Sequence, residues 1–175
     1  MADHVMLDIE TWGTGPDAVV ISIGACIFDP YGNDIRDRFY VAIDPDSNVA
    51  AGRKIDVSTV LWWMSPDRDT PRRRWLEQSK VDLYTALDGF AVWCPDAPVW
   101  GNGATFDNVI LGSAYKSVGL SQPWKFWHDR CYRTVKSMVP GIPLHRIGEH
   151  HDALDDAVSQ ARHLQAMVEH AGLNV

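Results

Sequence analysis

Two acidic residues lie close together near the start of the chain, in Val5-Met6-Leu7-Asp8-Ile9-Glu10-Thr11. Successive side chains of a strand point to opposite faces, so Asp8 and Glu10 share one face, with Cα atoms about 6.5–7 Å apart. Like charges at this spacing disfavour a strand. A hard divalent cation with oxygen ligands, such as Mg²⁺ or Mn²⁺, would relieve the repulsion. The segment indicates either a metal-binding strand or a strand that runs into a loop with both acids solvated.

A third acid stands where a helix is expected to begin. Asp107 follows a short predicted strand at residues 97–100, and it falls on one helical stripe with Ile110, Ala114 and Val118. This spacing places an acid at the top of a buried stripe, which is unusual. A helix-start aspartate favoured by the helix dipole is a serious competing explanation.

The last helix offers a fourth acid. At about 100° per residue, Asp155 points away from the apolar stripe, whereas Asp156 lies on its flank. Asp152 is well placed as the N-cap. His151 precedes the helix and is close enough to Asp156 to share a cleft, but spacing alone does not separate it from His150. The stripe consists of Ala157, Ala161, Leu164, Val168 and Ala171.

The elements between these acids predict a mixed α/β chain. Residues 5–43 read as an antiparallel meander of three strands, residues 44–48 as a plain turn, and a helix ends near Cys94. We interpret Trp62 and Trp63 as core or helix-packing residues rather than a base-stacking platform. The three arginines at 72–74 are interpreted as a solvated face, with nucleic-acid backbone contact as the alternative.

The composition is that of a soluble globular protein. The chain has 175 residues, of which 46% are hydrophobic and 22% charged, and we expect residues 1–175 to form a single domain. No apolar run approaches membrane-spanning length, and we expect no signal peptide. Three widely spaced cysteines fit a reducing cytoplasm. The net charge of −7 is unusual for a nucleic-acid binder, but acids gathered around metal leave that partner open.

Taken together, three segments resemble the motifs of the DnaQ-like 3′–5′ exonucleases of the DEDDh subgroup. They are Asp8-Ile9-Glu10-Thr11, Ala104-Thr105-Phe106-Asp107 and His151-Asp152-Ala153-Leu154-Asp155-Asp156-Ala157. Further segments, including Trp62-Trp63 and Trp100-Gly101-Asn102-Gly103, look similar to the small exonuclease-VIII-like branch or small exoribonucleases. The resemblance implies a ribonuclease-H-like fold, a mixed five-stranded sheet flanked by helices.

The resemblance also implies a site. Its metal ligands map onto Asp8, Glu10, Asp107 and Asp156, and its general base onto His151, which leaves His150 and Asp155 outside the motif. Two divalent ions, Mg²⁺ or Mn²⁺, about 3.5–4 Å apart would activate water and hold the leaving 3′ oxygen. A histidine with a pKa near neutrality would take the proton.

Four residues beside these motifs are expected to contact the terminal nucleotide: Thr11, Trp12, Asn102 and Phe106. Trp12 offers a stacking face, although ordinary packing explains it equally well. The expected activity is release of nucleoside 5′-monophosphates from a 3′ end, with single-stranded DNA favoured and RNA as the alternative. A catalytically silent nucleic-acid-binding module is the competing hypothesis of another class. The sequence does not fix the oligomeric state; a homodimer is among the states it allows.

Overall fold

The computed structural model describes residues 3–175, and its centre is one mixed sheet of six strands in the order β4-β3-β2-β1-β5-β6. The strands are β1 (His4–Thr11), β2 (Val20–Phe28), β3 (Ile35–Ile43), β4 (Lys80–Val81), β5 (Val99–Gly101) and β6 (Asp129–Cys131). The first three form the predicted antiparallel meander. The strands β5 and β6 extend the sheet in parallel from β1, and β4 pairs in parallel with β3.

The number of strands differs from the five that the resemblance to the DnaQ-like exonucleases implied. Two of the strands are very short: β4 has two residues and β6 has three. A strand of this length has too few residues to show the alternating pattern by which strands are recognised.

Within the described part of the chain, seven α-helices flank the sheet: α1 (Pro45–Ala50), α2 (Val57–Trp63), α3 (Asp69–Glu77), α4 (Leu83–Trp93), α5 (Asp107–Ser117), α6 (Tyr132–Met138) and α7 (Ala153–Ala171). The segment of α1 was predicted as a plain turn. It begins a helix because the Asp44 side chain accepts a hydrogen bond from the backbone N–H of Asp46 and because Pro45 occupies the first helical position. None of the helices within residues 3–175 is long and apolar enough to cross a membrane.

The two faces of the sheet carry separate apolar cores. On one face, Val5 and Leu7 of β1 pack with residues of α4 and α5, including Phe90 and Leu111. On the other face, Met6 packs with residues of α6 and α7. The alternation of β1 therefore directs its even-numbered residues toward α7, as the sequence predicted. Asp8 and Glu10 follow Met6 on that face.

Candidate active site

The acids of β1 lie where this strand meets α7. The side chain of Asp8 is buried, with 8% of the residue exposed, and its Oδ1 accepts a hydrogen bond of 2.8 Å from Nε2 of Gln160 on α7. Glu10 lies further along the same face and is partly buried. The pairing of β1 with β2 shifts between Glu10 and Thr11. Such a bulge changes the direction of the side chains around it, here at the rim of the site.

A glycine allows α7 to approach these acids. Gly24 of β2 pairs with Asp8 across the sheet, and a Cβ atom placed on Gly24 would lie 2.1 Å from the carbonyl carbon of Ala153. The backbone at the start of α7 therefore touches the sheet. Asp152 caps the helix, because its side chain accepts hydrogen bonds from the backbone N–H groups of Leu154 and Asp155. The predicted N-cap is thus confirmed.

Asp156 is held in place by two neighbours from the loop before α7. Its Oδ2 accepts a hydrogen bond of 2.9 Å from the backbone N–H of His151, and its Oδ1 accepts one of 2.5 Å from the Arg146 guanidinium. Asp155 points elsewhere: its Oδ2 accepts from the backbone N–H of Glu149 and from Arg74. The predicted division between an inward Asp156 and an outward Asp155 is therefore observed.

Asp107 reaches the site from the start of α5. A Cβ atom on Gly101 would lie 2.9 Å from Cβ of Asp107, so the absence of a side chain at Gly101 again permits a close approach. Oδ1 of Asp107 accepts a hydrogen bond of 3.3 Å from the backbone N–H of Ile9. Oδ2 is buried and has no hydrogen-bond partner within residues 3–175. A buried carboxylate oxygen left without a partner is costly.

Three of the four acids come together closely. One carboxylate oxygen from each of Asp8, Glu10 and Asp156 lies within 4.8 Å of the others. Asp107 is not part of that group, although its charge helps to raise the pKa values of Asp8 and Glu10. The four acids therefore form one site with a compact group of three and a fourth carboxylate beside it.

The carboxylates of this site repel one another, and a bound cation would compensate their negative charge. Burial raises the pKa of Asp8 and of Glu10 well above the ordinary value, and the neighbouring acids raise them further. Burial also raises the pKa of Asp107 to about 7. Hard oxygen donors that repel one another, together with the unpartnered Oδ2 of Asp107, fit a divalent ion of the Mg²⁺ or Mn²⁺ type. The residues present thus fit the metal that the sequence implied.

His151 lies at the mouth of this site. Its ring meets the Trp62 ring edge-on, with centroids 4.9 Å apart, and stacks on His150 with centroids 3.6 Å apart. Burial, together with the charges of His150, Arg68 and Arg146, lowers the pKa of His151 to about 4. The imidazole is therefore neutral at pH 7 and has a lone pair that can accept a proton.

A cleft of about 380 Å³ opens beside Glu10. Trp62, Trp63 and Phe106 line it with aromatic rings, and Thr14, Ser58 and Thr59 add hydroxyl groups. Trp63 is buried, with 5% exposed, as the packing interpretation predicted. Trp62 is 40% exposed, and for this residue the interpretation as core is wrong. Adjacent residues of a helix point about 100° apart, so Trp63 turns inward while Trp62 stays at the surface, and the two rings meet edge-on with centroids 5.3 Å apart.

The four residues expected to contact substrate have different positions. Thr11 and Phe106 line the cleft, but the Thr11 hydroxyl already donates to the backbone oxygen of Gly13. Asn102 lies near Asp107, and its backbone oxygen accepts a hydrogen bond from Arg133. Trp12 packs edge-on against Trp75 and lines a separate apolar cleft of about 360 Å³. The structure therefore does not bring Trp12 into the cleft beside Glu10.

Sequence reasoning missed three residues that touch the site. Arg146 binds Asp156, Gln160 binds Asp8, and Trp62 contacts His151. Gln160 had a detectable signal, since it stands four residues after Asp156 and therefore on the same side of α7. Arg146 had none, because it lies in an irregular loop.

A ribonuclease-H-like sheet with four acids at the junction of β1, α5 and α7 defines the class of DnaQ-like nucleases of the DEDDh type, whose members depend on divalent metal. Within that class, a model of the Rv2179c-like 3′–5′ exoribonuclease domain matches residues 3–168. The chain belongs to this family.

Solved structures with the same fold include an exonuclease and a second nuclease. Escherichia coli exonuclease I in complex with a dT13 oligonucleotide superimposes with a TM-score of 0.66 at 16% identity, over 96% of this chain and 41% of that one. Cell-death related nuclease 4 superimposes with a TM-score of 0.65 at 18% identity, over 97% of this chain and 64% of that one. The chain thus spans less than two thirds of either relative. No curated protein matches the chain in sequence.

Proposed function

We propose that this protein removes nucleoside 5′-monophosphates one at a time from the 3′ end of single-stranded nucleic acid, with RNA as its preferred substrate. The observation that carries the proposal is the site itself: three buried acids, the partly buried Glu10 and a neutral histidine beside an aromatic cleft. The cleft volume of about 380 Å³ lies at the lower end of the range of about 300–1,000 Å³ that is typical of small-molecule pockets, so the cleft suits one terminal nucleotide.

Asp8, Glu10, Asp107 and Asp156 would hold the metal, which we propose to be two ions of Mg²⁺ or Mn²⁺. Bound there, such ions make water a stronger nucleophile and neutralise charge on the phosphate and the departing 3′ oxygen. The protein fixes the ligands in advance: Gln160 orients Asp8, and the backbone N–H of His151 orients Asp156. Arg146 compensates part of the charge of Asp156 until metal binds.

His151 is proposed as the general base. Its neutral imidazole accepts the proton of the attacking water, and the anionic phosphate beside it favours the imidazolium that results. The edge-on contact with Trp62 restricts the ring to a small range of orientations. A fixed orientation is what proton transfer requires.

The cleft beside Glu10 is proposed to hold the terminal nucleoside. Trp62 and Phe106 offer aromatic faces to a base, and such stacking accepts every base. Thr14, Ser58 and Thr59 offer hydroxyl groups that can bond to a sugar or a base edge. Trp12 is a candidate for stacking further along the strand, since it lines the neighbouring cleft on the other side of Trp63.

The family description supports RNA as the substrate. Single-stranded DNA, which the sequence favoured, is the second candidate, because exonuclease I of the same fold is bound to a DNA oligonucleotide. A protein distinguishes RNA from DNA by its contacts with the 2′-hydroxyl of the sugar. Protein hydroxyl groups that lie near the sugar can make such contacts. A cytoplasmic location, a single domain and a homodimer stay predictions.

The test is digestion of 5′-labelled RNA and DNA strands of matched sequence, with Mg²⁺ or Mn²⁺ and with EDTA. We expect a ladder shortened from the 3′ end, release of nucleoside 5′-monophosphates, faster loss of the RNA, and no products in EDTA. Faster loss of the DNA would reverse the substrate preference. Binding of both strands without cleavage under any metal would replace the exonuclease by the silent binding module.

A further inference from the structure

One histidine beside the site has no part in the proposed reaction. His150 is exposed, whereas the neighbouring His151 is partly buried. The two rings lie face to face, with centroids 3.6 Å apart and planes inclined by 23°. Consecutive residues of an extended or helical segment direct their side chains well apart. This close pair of imidazoles is therefore a local feature that needs an explanation.

The backbone supplies the explanation. His151 has a φ of 68° and is the one non-glycine residue within residues 3–175 with a positive φ. This left-handed conformation is disfavoured for a residue with a Cβ atom, and it persists only where the surroundings impose it. Here the hydrogen bond from the His151 backbone N–H to Asp156 holds it. The same turn thus brings His150, His151 and Asp156 together.

These three residues present a donor set different from that of the four acids. A ring nitrogen of each histidine and a carboxylate oxygen of Asp156 lie within 4.8 Å of one another. Two imidazoles and one carboxylate suit a borderline-soft cation such as Zn²⁺, whereas Mg²⁺ and Mn²⁺ prefer oxygen. Three protein ligands are also the number found where zinc keeps a fourth position open.

We propose that His150, His151 and Asp156 form a Zn²⁺-binding site whose occupation switches the nuclease off. Zn²⁺ needs nitrogen ligands at about 2.0–2.1 Å, in the planes of the rings. One stacked ring therefore has to rotate about χ2, a broad torsion. The exposed His150 is free to do so, because its outer side faces solvent.

Occupation would remove two groups from the reaction at once. A zinc-bound His151 has no lone pair with which to take a proton, and Asp156 is shared with the acid site. Inhibition thus rests on the proposed function, whereas the binding of Zn²⁺ does not. His150 supplies only the additional ligand and is not one of the four acids, so it determines zinc sensitivity without holding the metal of the acid site.

The experiment measures Zn²⁺ binding and turnover on the full chain, in wild type and in His150→Ala, with excess Mg²⁺ present throughout. His145→Ala, an exposed histidine of the same loop, is the matched control. Calorimetry with Zn²⁺ and the visible absorption of added Co²⁺ report binding independently of turnover. Loss of even an outer partner of a metal ligand costs about 10–100-fold in affinity, so we expect His150→Ala to weaken Zn²⁺ binding at least this much.

Turnover in Mg²⁺ alone should be the same in all three proteins, and Zn²⁺ should inhibit wild type and His145→Ala at concentrations that leave His150→Ala active. Equal affinity for Zn²⁺ in wild type and His150→Ala would overturn the proposal. Displacement of the bound Zn²⁺ by Mg²⁺ with equal ease from wild type and His150→Ala would also overturn it, because the ion would then be held by the acids alone. If none of the proteins turns over nucleic acid but His150→Ala alone loses Zn²⁺ binding, the zinc site stands and the proposed function fails.

Discussion

The acid cluster and the tryptophan-lined cleft meet at Glu10, yet they are built in opposite ways. The acids come from β1, α5 and α7, which pack so closely that Gly24 and Gly101 have no room for a side chain. The cleft is formed largely by the short helix α2, whose Trp62 ring stays 40% exposed. The first region fixes charge at the expense of stability, and the second offers apolar surface to a ligand. Reaction and recognition are therefore separable by mutation.

Mutation of the acid cluster is expected to reduce turnover more than any other change. Asp8→Asn keeps the shape of the side chain and the partner Gln160 but removes one anionic ligand. Because loss of an outer partner alone costs about 10–100-fold, we expect kcat to fall by more than that, with little change in KM. Single-turnover digestion of a labelled strand measures both quantities.

The matched control is Asp88→Asn, an exposed acid of α4. Its turnover should equal that of wild type. Full activity in Asp8→Asn would remove this acid from the site. In the metal-free protein at neutral pH, Asp8→Asn should raise Tm, because burial and like charges disfavour the ionised Asp8.

The close packing behind the acids is tested by Gly24→Ala. The new Cβ would lie 2.1 Å from the backbone of Ala153, so the start of α7 has to move and carry Asp156 with it. A misplacement of about 1 Å can cost 10²-fold in rate, and overpacking costs about 1–3 kcal/mol of stability. Activity and Tm should both fall, as measured by digestion and thermal unfolding.

Gly89→Ala distinguishes this effect from a general intolerance of alanine. Gly89 lies inside α4 with nothing within 4 Å of a new Cβ, and alanine is the better helix former there. Its Tm should stay level or rise. If Gly24→Ala matches Gly89→Ala in both measurements, close approach of α7 to β2 does not position Asp156.

The role of the tryptophan-lined cleft in substrate binding is tested by Trp62→Ala. Stacking of a base on an aromatic ring contributes about 1–3 kcal/mol, so KM should rise about 5-fold to 150-fold, with a smaller change in kcat. Trp127→Ala, which removes a more exposed tryptophan that lines a different cleft, should leave both constants unchanged. A fall in kcat at constant KM would instead show that Trp62 acts by holding the His151 ring.

The same contrast explains how much the sequence could predict. Asp8, Glu10 and Asp156 lie on regular elements, so alternation and helical spacing placed them on the correct faces. The N-cap at Asp152 depends only on residues that are its neighbours in the sequence, so it could be predicted in the same way. Trp62 was misjudged because α2 spans only seven residues, too few to show which side meets the sheet. His150 and His151 could not be separated by spacing, since the positive φ at His151 turns both rings to one side.

Protons and metal ions compete for the carboxylates of the acid site. The pH dependence of stability that results is the smallest of the expected effects. Asp107 has its pKa raised to about 7 by burial, from an ordinary value of 3.8. Between these values the unfolded chain loses a proton that the folded chain keeps, so the free energy of unfolding falls as pH rises from about 4 to 7. The raised pKa values of Asp8 and Glu10 act in the same direction.

Mn²⁺ should reverse this loss only where the acids are ionised, because metal ligands must be deprotonated. We expect a rise in Tm with Mn²⁺ at about pH 8 and almost none at about pH 5, with about 2–4 °C for each kcal/mol gained. Thermal unfolding with Mn²⁺ and with EDTA at both pH values measures it. Asp8→Asn should reduce the rise at the higher pH, whereas Trp62→Ala should leave it intact. An equal rise at both pH values would mean that the ion binds groups other than these acids, since only ligands that titrate between the two conditions can make its binding depend on pH.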